Sequence, residues 1–284
     1  MKSVPALTIA ILLAGCSHDS DSLMGRGADT EFCYPLQLGN LWEYDREFRS
    51  LNYRTPGGDT VAGDTTVYRS HSTVEIVRVD ALVPLTNAFV LSEIAVGSDN
   101  SIFTGEAYYF NHTDGLYLYA HKGFTSAAPK VPSQRRILFK GFYFNSAREV
   151  INFIERRAFS SAPFDSLIYE KKPLKVYPYP IWIDLQWNYR PANDPWRVDK
   201  RVTGKQSVSV PAGEFECYRI QWLIDLDDDG EWDEDIEFFD YVSSSGLTQQ
   251  TLLVRDMMWT DAGGWPLGMF DAMDEYKLTN VVLK

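Results

Sequence analysis

The stretch YPLQLGNLWEY, residues 34–44, recurs without a gap as YPIWIDLQWNY, residues 179–189. Proline lacks an amide hydrogen and therefore fits the first residue of a chain that enters a strand. Residues two apart in a strand share one face of the sheet. Each copy therefore predicts a connection into a strand that presents two aromatic side chains on one face, namely Trp42 and Tyr44 in the first copy and Trp187 and Tyr189 in the second.

The repeat has two interpretations. In the first, the protein has two related halves, about residues 32–145 and 175–284, whose aromatic strands form the wall of one concave ligand surface. In the second, Trp42 and Trp187 only fill the hydrophobic core. Asp184 stands where the first copy has Gly39, so the equivalence of the copies is approximate.

In the remaining chain, apolar and polar residues mostly alternate with a period of two, and residues typical of turns separate these stretches. The segments that read as strands are 65–79, 106–110, 116–120, 137–144, 187–190, 199–210, 216–225, 235–242, 247–254 and 275–283. A capping box at Ser146 and Glu149 predicts one helix that ends near Ala158, with a bent strand as the alternative. A sheet of ten or more twisted strands must curl or split. The predicted fold is mainly β, a large curved antiparallel sheet (half-barrel or open barrel) with at most one or two short helices.

Composition indicates a globular protein that does not bind nucleic acid. Hydrophobic residues make up 45% of the 284 residues, and aromatic residues make up 14%. The formal charge is −12, and no basic run is present, whereas nucleic acids require clustered Lys and Arg. No linker interrupts the later chain, so residues 32–284 are predicted to form a single β-rich domain.

The N-terminal residues resemble a bacterial lipoprotein signal. Ten apolar residues, 4–13, lead into LAGC, residues 13–16. This length is too short to span a bilayer but suits a secretory signal. We expect removal of residues 1–15, attachment of diacylglycerol and an acyl chain such as palmitate to Cys16, and a flexible tether at 16–31. Ser17 rather than aspartate follows the cysteine, which favours the outer membrane. The alternative is a plain secretory signal with an incidental cysteine.

Export would place Cys33 and Cys217 in an oxidising compartment, where a pair of cysteines can form a disulfide. The alternative is two separately buried thiols, which behave as small hydrophobic groups.

The acidic stretch DLDDDGEWDEDIE, residues 225–237, matches a calcium loop in part. The ligand positions 1, 3, 5, 7 and 9 of such a loop are filled by Asp225, Asp227, Asp229, Glu231 and Asp233. Ile236 occupies position 12, where a bidentate glutamate is expected. The sequence therefore predicts a weak calcium site, with an acidic hairpin turn as the alternative. No other cofactor is expected.

Catalysis has little support in the sequence. The four histidines are scattered, and no nucleophile elbow, zinc-binding helix or phosphate loop is present. We therefore do not expect an enzyme, and a hydrolase is the least favoured class.

Three short motifs carry a resemblance to a known group. YPLQLGNLWEY, VSVPAGEFECYRIQ and FFDYVSSSGLTQQ, followed by EYKLTNVVL, resemble a group of uncharacterised bacterial lipoproteins. That group is similar in outline to the half-barrel lipoprotein carriers of the Lol type, which hold acyl chains on a curved sheet. The resemblance implies a non-catalytic envelope lipoprotein that binds an apolar ligand or a protein partner. The alternative is a structural or interaction module with a closed core. A continuous apolar cavity of roughly 300 Å³ or more would favour ligand binding over this alternative.

Overall fold

The computed structural model describes residues 32–61, 67–82, 85–126, 135–155, 167–192 and 196–284. The described residues form one α-helix, α1 (Ala147–Ile154), and fourteen strands. The strands are β1 (Leu41–Arg54), β2 (Val67–Leu82), β3 (Leu85–Gly97), β4 (Ile102–His112), β5 (Gly115–Ser126), β6 (Arg136–Phe139), β7 (Phe142–Phe144), β8 (Leu167–Pro178), β9 (Gln186–Arg190), β10 (Arg197–Val210), β11 (Gly213–Asp225), β12 (Ile236–Ser243), β13 (Gly246–Thr260) and β14 (Pro266–Val282).

Twelve of the strands form one antiparallel sheet in the order β8-β5-β4-β3-β2-β1-β14-β13-β12-β11-β10-β9. The short strands β6 and β7 form a hairpin attached to β13. The sheet curls until its two edge strands, β8 and β9, approach each other, so the barrel is nearly closed. The predicted fold class, a mainly β protein built on one large curved antiparallel sheet, is confirmed.

Antiparallel pairing places alternate strand ends on two opposite rims of the barrel. Strands β1, β3, β5, β9, β11 and β13 begin at one rim, which we call the N-terminal rim because the chain reaches β1 there. The other rim, the distal rim, carries the acidic connection between β11 and β12.

Helix α1 begins where the capping box predicts it and ends at Ile154, before the predicted end near Ala158, which lies outside the described residues. The Ser146 hydroxyl accepts a hydrogen bond from the Glu149 amide at 3.2 Å, and the Glu149 carboxylate accepts one from the Asn145 amide at 2.8 Å. The buried side chains of α1 pack with Val198, Ile224 and other core residues of the strands that reach the distal rim. The helix is thus an apolar layer across the distal part of the barrel. Among the described residues, no helix is long and apolar enough to cross a membrane.

The sequence interpretation of residues 137–144 as one strand is wrong. Lys140 and Gly141 both take positive φ angles, 47° and 78°, and divide the segment into the hairpin β6–β7. A Lys-Gly pair permits this turn because glycine has no Cβ and adopts positive φ at little cost.

Of the two alternatives for Cys33 and Cys217, the disulfide between them is not formed. Cys217 is a free thiol, fully buried against Trp42 and Leu278. Cys33 packs against a different apolar cluster, beside Tyr179. Burial raises the pKa of the Cys217 thiol, so this group is a poor nucleophile.

Candidate functional site

The two copies of the repeat adopt the same local structure. Gly39 and Asp184, which occupy matching positions, both take positive φ angles, 82° and 67°. In each copy the amide that follows closes the same turn: Asn40 donates to the Gln37 carbonyl at 3.0 Å, and Leu185 donates to the Trp182 carbonyl at 3.2 Å. Aspartate tolerates this left-handed conformation better than most residues, so its substitution for glycine leaves the turn intact.

Each repeated turn binds the neighbouring strand through the same pair of hydrogen bonds. In the first copy, the Gly39 amide donates to the Ile76 carbonyl and the Ile76 amide donates to the Asn40 carbonyl, both at 2.9 Å. In the second copy, Val202 takes the place of Ile76, and the two corresponding bonds are again 2.9 Å. The repeat is therefore a structural unit, a turn followed by a strand, present at β1 and again at β9.

The Tyr-Pro segments, residues 34–40 and 179–185, meet near the N-terminal rim. The Tyr34 amide donates to the Tyr179 hydroxyl at 2.9 Å, so the first residues of both copies are in direct contact. The ring of Tyr34 stacks on that of Tyr177 at 5.9 Å, and Phe32 packs edge-on against Tyr179 at 6.0 Å. These aromatic contacts fill the barrel interior at this end.

The four repeated aromatic residues differ in burial. Trp42 is fully buried, and its indole nitrogen donates to the Ser245 carbonyl at 2.6 Å. Trp187 is half-buried, and its indole nitrogen donates to the Lys175 carbonyl of β8 at 2.9 Å. Trp187 therefore links the two edge strands. Tyr44 and Tyr189 both face the barrel interior, where they line one cavity.

The cavity has a volume of about 250 Å³ and lies between the Tyr-Pro segments and the end of α1. Its aliphatic wall comes mainly from β2 to β5 and includes Val74, Leu91, Ala107, Leu116 and Leu118. Its aromatic wall consists of Tyr34, Tyr44, Tyr109, Tyr177, Tyr189, Trp222 and Tyr276. Charged side chains from several elements complete the lining, so the cavity is amphipathic and is not a purely apolar tunnel.

One charged group is the lysine–aspartate pair Lys200–Asp240. The Lys200 ammonium lies 3.3 Å from an Asp240 oxygen, and the two side chains are 1% and 2% exposed. The ammonium also lies 3.7 Å from the centre of the Trp222 ring and 4.6 Å from that of Tyr189. Burial lowers the pKa of Lys200, and the Asp240 charge opposes that effect. Gln250 donates to the other Asp240 oxygen at 2.8 Å, which fixes the carboxylate.

A second buried group centres on Arg46. Its guanidinium binds both oxygens of Asp274, with Nε–oxygen distances of 2.8 and 2.9 Å, and donates to the Tyr276 hydroxyl at 2.6 Å. Glu155, at the end of α1, lies 3.5 Å from the same guanidinium. This cluster joins the helix to β1 and β14 beneath the cavity.

A third group joins the two edges of the sheet. Arg190 of β9 makes two ion-pair contacts with Glu170 of β8, at 3.1 and 3.2 Å, and both side chains are buried. His121 of β5 lies 3.6 Å from Glu170. The seam between β8 and β9 is thus joined by side chains, including the Trp187 indole.

Burial raises the pKa of the tyrosines around the Tyr-Pro segments. Desolvation is the largest cause for Tyr34, Tyr44, Tyr177 and Tyr179. These hydroxyls stay neutral at physiological pH and act as hydrogen-bond donors; Tyr44, for example, donates to the Leu247 carbonyl at 2.9 Å. A ligand in the cavity would meet neutral phenols next to paired charges.

No protein-family model matches this chain, and no curated protein matches it. Among solved structures, it is similar to a candidate lipoprotein from Parabacteroides distasonis, with 12% identity and a TM-score of 0.37, over 89% of this chain and 100% of that chain. It is also similar to a candidate exported protein with a YmcC-like fold from Bacteroides fragilis, with 9% identity and a TM-score of 0.33, over 88% of this chain and 99% of that chain. Similarity at this level carries no argument about function.

The acidic loop brings together three of its five predicted ligands. Carboxylate oxygens of Asp225, Asp227 and Asp229 all lie within 4.8 Å of one another, and Asp225 is buried. Asp233 turns instead toward Lys140, whose ammonium lies 2.6 Å away, and accepts a bond from the Leu226 amide at 2.9 Å. The Glu231 amide donates to Asp229 at 2.8 Å. Calcium binding at this loop stays a prediction.

We expect millimolar calcium to raise the melting temperature of the protein, and the double substitution Asp227→Ala/Asp229→Ala to abolish the rise. The expected affinity is weak, of order 10⁻⁴–10⁻³ M, because a bidentate ligand is missing. Lys140→Met should strengthen binding, since it frees Asp233 from its ion pair. The matched control, Asp45→Ala/Glu47→Ala on β1, removes the same charge elsewhere. Identical melting curves with calcium and with chelator would favour a simple acidic turn.

The charged residues buried in the barrel interior, in and beneath the cavity, were missed at the sequence level, although a signal for them exists. Along β1, Trp42, Tyr44, Arg46 and Phe48 alternate with exposed or half-buried residues and share the inward face. Asp240 likewise lies between the buried Phe238 and Val242 on β12. A charge in register with buried aromatics predicts a buried ion pair, but its partner depends on the strand order.

Proposed function

We propose that this protein is a non-catalytic, lipid-anchored protein of the bacterial cell envelope that holds a small amphipathic ligand inside its barrel. The observation that supports a ligand is the cavity of about 250 Å³ that lies between the Tyr-Pro segments and α1. This volume is just below the usual range of ligand pockets, about 300–1,000 Å³, so the ligand is smaller than a typical drug-sized molecule.

The wall chemistry supports an amphipathic ligand rather than a bare acyl chain. The aliphatic side chains of β2 to β5 suit an apolar body, whereas the aromatic rings and the Lys200–Asp240 pair suit a polar group. Aromatic and aliphatic side chains with a few fixed polar groups are typical of small-molecule sites. Acyl-chain binding of the Lol type would leave these buried charges facing hydrocarbon, which costs free energy.

The anchor is the second part of the proposal. Cys16 lies outside the described residues, and the lipoprotein signal in residues 1–16 is its support. Several acyl chains hold a protein on a membrane far better than one. Ser17 favours the outer membrane as the location.

Native mass spectrometry of the purified protein tests the ligand. We expect a bound small molecule in the wild type, and its loss in Leu91→Trp, which fills the cavity. The matched control is Ile94→Trp on the same strand, because Ile94 is 49% exposed on the outer face. Absence of any bound molecule, or equal occupancy in both variants, would contradict ligand binding. The same preparation tests the anchor: an N-terminal peptide that begins at acylated Cys16 supports it, and unmodified Cys16 contradicts it.

A structural or interaction module is the second candidate function. The observation that favours it is the internal pairing of the buried charges: Lys200 with Asp240, and Arg46 with Asp274. A barrel whose interior groups bind each other needs no ligand to fold. An empty cavity in the mass spectrum would favour this alternative.

A further inference from the structure

Lys200 is the one lysine among the described residues whose side chain is buried. It is 1% exposed, and the other described lysines are half-buried or exposed. It is also the only described residue of the cavity wall that carries a primary amine. Buried lysines shift their pKa readily, and proteins use such lysines to form imines with carbonyl compounds. The cavity wall therefore contains one group that is able to bind a ligand covalently.

The surroundings of the Lys200 amine suit both a neutral and a charged nitrogen. The ammonium donates to an Asp240 oxygen at 3.3 Å, so a proton acceptor is in contact with it. The rings of Trp222 and Tyr189, with centres 3.7 and 4.6 Å away, stabilise a cation at the same place. Burial lowers the pKa of Lys200 and so increases the fraction of neutral, nucleophilic amine. Imine formation requires both properties, because the amine loses a proton to attack and the product is again a cation.

The Trp222 ring also offers a hydrogen-bond donor. Its indole nitrogen is buried and has no acceptor among the described residues. Buried polar groups are nearly always hydrogen-bonded, so an N–H of this kind in a cavity wall favours a ligand that brings an oxygen acceptor. A carbonyl group fits both neighbours, because its oxygen accepts from the indole and its carbon is electrophilic toward the Lys200 amine.

The rest of the cavity wall suits an apolar body. Lys200, Trp222 and Asp240 lie on β10, β11 and β12, whereas the aliphatic side chains, such as Leu91 and Leu118, come mainly from β2 to β5. A ligand with a carbonyl group at one end and a short hydrocarbon body matches both parts of the wall. The cavity volume of about 250 Å³ limits that ligand to a small molecule.

We propose that Lys200 binds a small apolar aldehyde or ketone covalently, as a reversible imine. This inference rests on the proposed function, because it names the class of ligand held in the same cavity. Asp240 takes a proton from the ammonium, the nitrogen lone pair bonds to the carbonyl carbon, and the oxygen receives that proton. A second proton passes from nitrogen to the oxygen through Asp240, and water leaves as the C=N bond forms. An ammonium and a carbonyl compound thus give a protonated imine and water, so no oxidant or reductant is needed and the charge beside Asp240 is retained.

Reductive trapping with hexanal in the full-length protein tests the inference. Sodium cyanoborohydride converts an imine into a stable secondary amine, and peptide mass mapping then measures the hexyl group on each lysine. The matched control is Lys205, an exposed lysine of the same strand whose ammonium lies 5.0 Å from the centre of the Tyr218 ring. At limiting hexanal, we expect labelling at Lys200 to exceed that at Lys205 by about fivefold or more, because the cavity holds the aldehyde beside the amine.

Competition and a filled cavity separate a specific site from general lysine chemistry. Hexan-1-ol has the same body without the carbonyl, so an excess of it should reduce labelling at Lys200 several-fold and leave Lys205 unchanged. Leu91→Trp, which fills the cavity, should do the same, whereas Ile94→Trp on the outer face should not. The competition uses the wild type and therefore does not depend on the folding of a variant.

Two results would overturn the inference: labelling at Lys200 no greater than at Lys205, or labelling at Lys200 that hexan-1-ol and Leu91→Trp leave unchanged. Lys200 would then be only the partner of Asp240 in a structural ion pair. Native mass spectrometry of the same protein before reduction distinguishes this failure from that of the proposed function. A molecule bound in the cavity without labelling of Lys200 contradicts this inference alone, whereas the absence of both contradicts the proposed function as well.

Discussion

Replacing Asp240 by alanine is expected to lower the free energy of unfolding by about 3–5 kcal/mol at neutral pH. The reason is that Lys200, 1% exposed, would keep its charge inside the barrel without a carboxylate 3.3 Å away. The aromatic rings around the ammonium offset part of the loss, because cation–π attraction contributes about 0.5–2 kcal/mol. Denaturant titration of the variant and the wild type measures the difference.

The double variant Lys200→Met/Asp240→Asn isolates the pair. It removes both charges and keeps an acceptor for the Gln250 amide, which donates to Asp240 at 2.8 Å. Replacing both members of a buried ion pair by neutral side chains often leaves stability unchanged. We therefore expect the double variant to recover most of the stability lost in Asp240→Ala. A loss in the double variant as large as in the single one would show that packing, and not the unpaired charge, is the cause.

The pH dependence of the free energy of unfolding tests the same buried charge. Burial lowers the pKa of Lys200 in the folded state, so in the window between that lowered pKa and the unfolded value the unfolded chain binds the additional proton. Stability from this group therefore rises with pH across that window. Deprotonating a lysine with a pKa of about 10.4 costs about 4.6 kcal/mol at pH 7 but about 0.5 kcal/mol at pH 10. The penalty of Asp240→Ala should shrink accordingly as the pH is raised.

Much of the fold could be predicted because its signals are local. Alternating residues predicted most strands, and the capping box at Ser146 predicted α1, which begins at Ala147. Strands β3 and β8 were missed. The segment of β8, LIYEKKPLKVYP, contains two lysines and a proline in its middle, which weaken its alternating pattern. Its place at the edge of the sheet explains why a proline is tolerated there.

The site could be predicted only in part, because it depends on contacts between distant strands. Tyr44 and Tyr189 were identified from the repeat, and both line the cavity. The Lys200–Asp240 pair joins β10 to β12, with β11 between them in the sheet, and no local pattern gives that order. The choice between a disulfide and separate thiols for Cys33 and Cys217 stayed open at the sequence level for the same reason. Cys33 and Cys217 pack in different apolar clusters, which sequence separation cannot reveal.

The repeat also shows how far sequence identity understates structural equivalence. Glycine and aspartate at positions 39 and 184 differ chemically, yet both adopt the same left-handed turn and bind the adjacent strand at the same distances. The surroundings of the two units differ much more than the units do. Strand β1 has neighbours on both sides, whereas β9 is an edge strand. Equivalent tryptophans therefore occupy very different environments.

That difference leads to the second large effect that we expect, in Trp42→Ala. Truncation of a fully buried tryptophan costs about 3–5 kcal/mol, through lost burial and the cavity left behind. Trp42 is 0% exposed, and its indole donates to Ser245. A Cβ placed on Gly246 would lie 2.8 Å from the indole nitrogen, so the backbone of the β12–β13 turn packs directly on this ring. The vacated space cannot close without moving that turn.

Trp187→Ala is the matched comparison, because it removes the same side chain from the same position of the second unit. We expect it to cost less than half as much, since Trp187 is half-buried on an edge strand and loses mainly its bond to the Lys175 carbonyl. Trp265→Ala, which removes a 73% exposed ring, should change stability by no more than about 0.5 kcal/mol. Denaturant titration measures the stability of all three variants: a shift of the midpoint with an unchanged m-value gives the change in free energy of unfolding. Equal destabilisation by Trp187→Ala and Trp42→Ala would contradict this expectation. It would mean that the seam between β8 and β9 stabilises the barrel as strongly as the hydrogen-bonded strand pairs do.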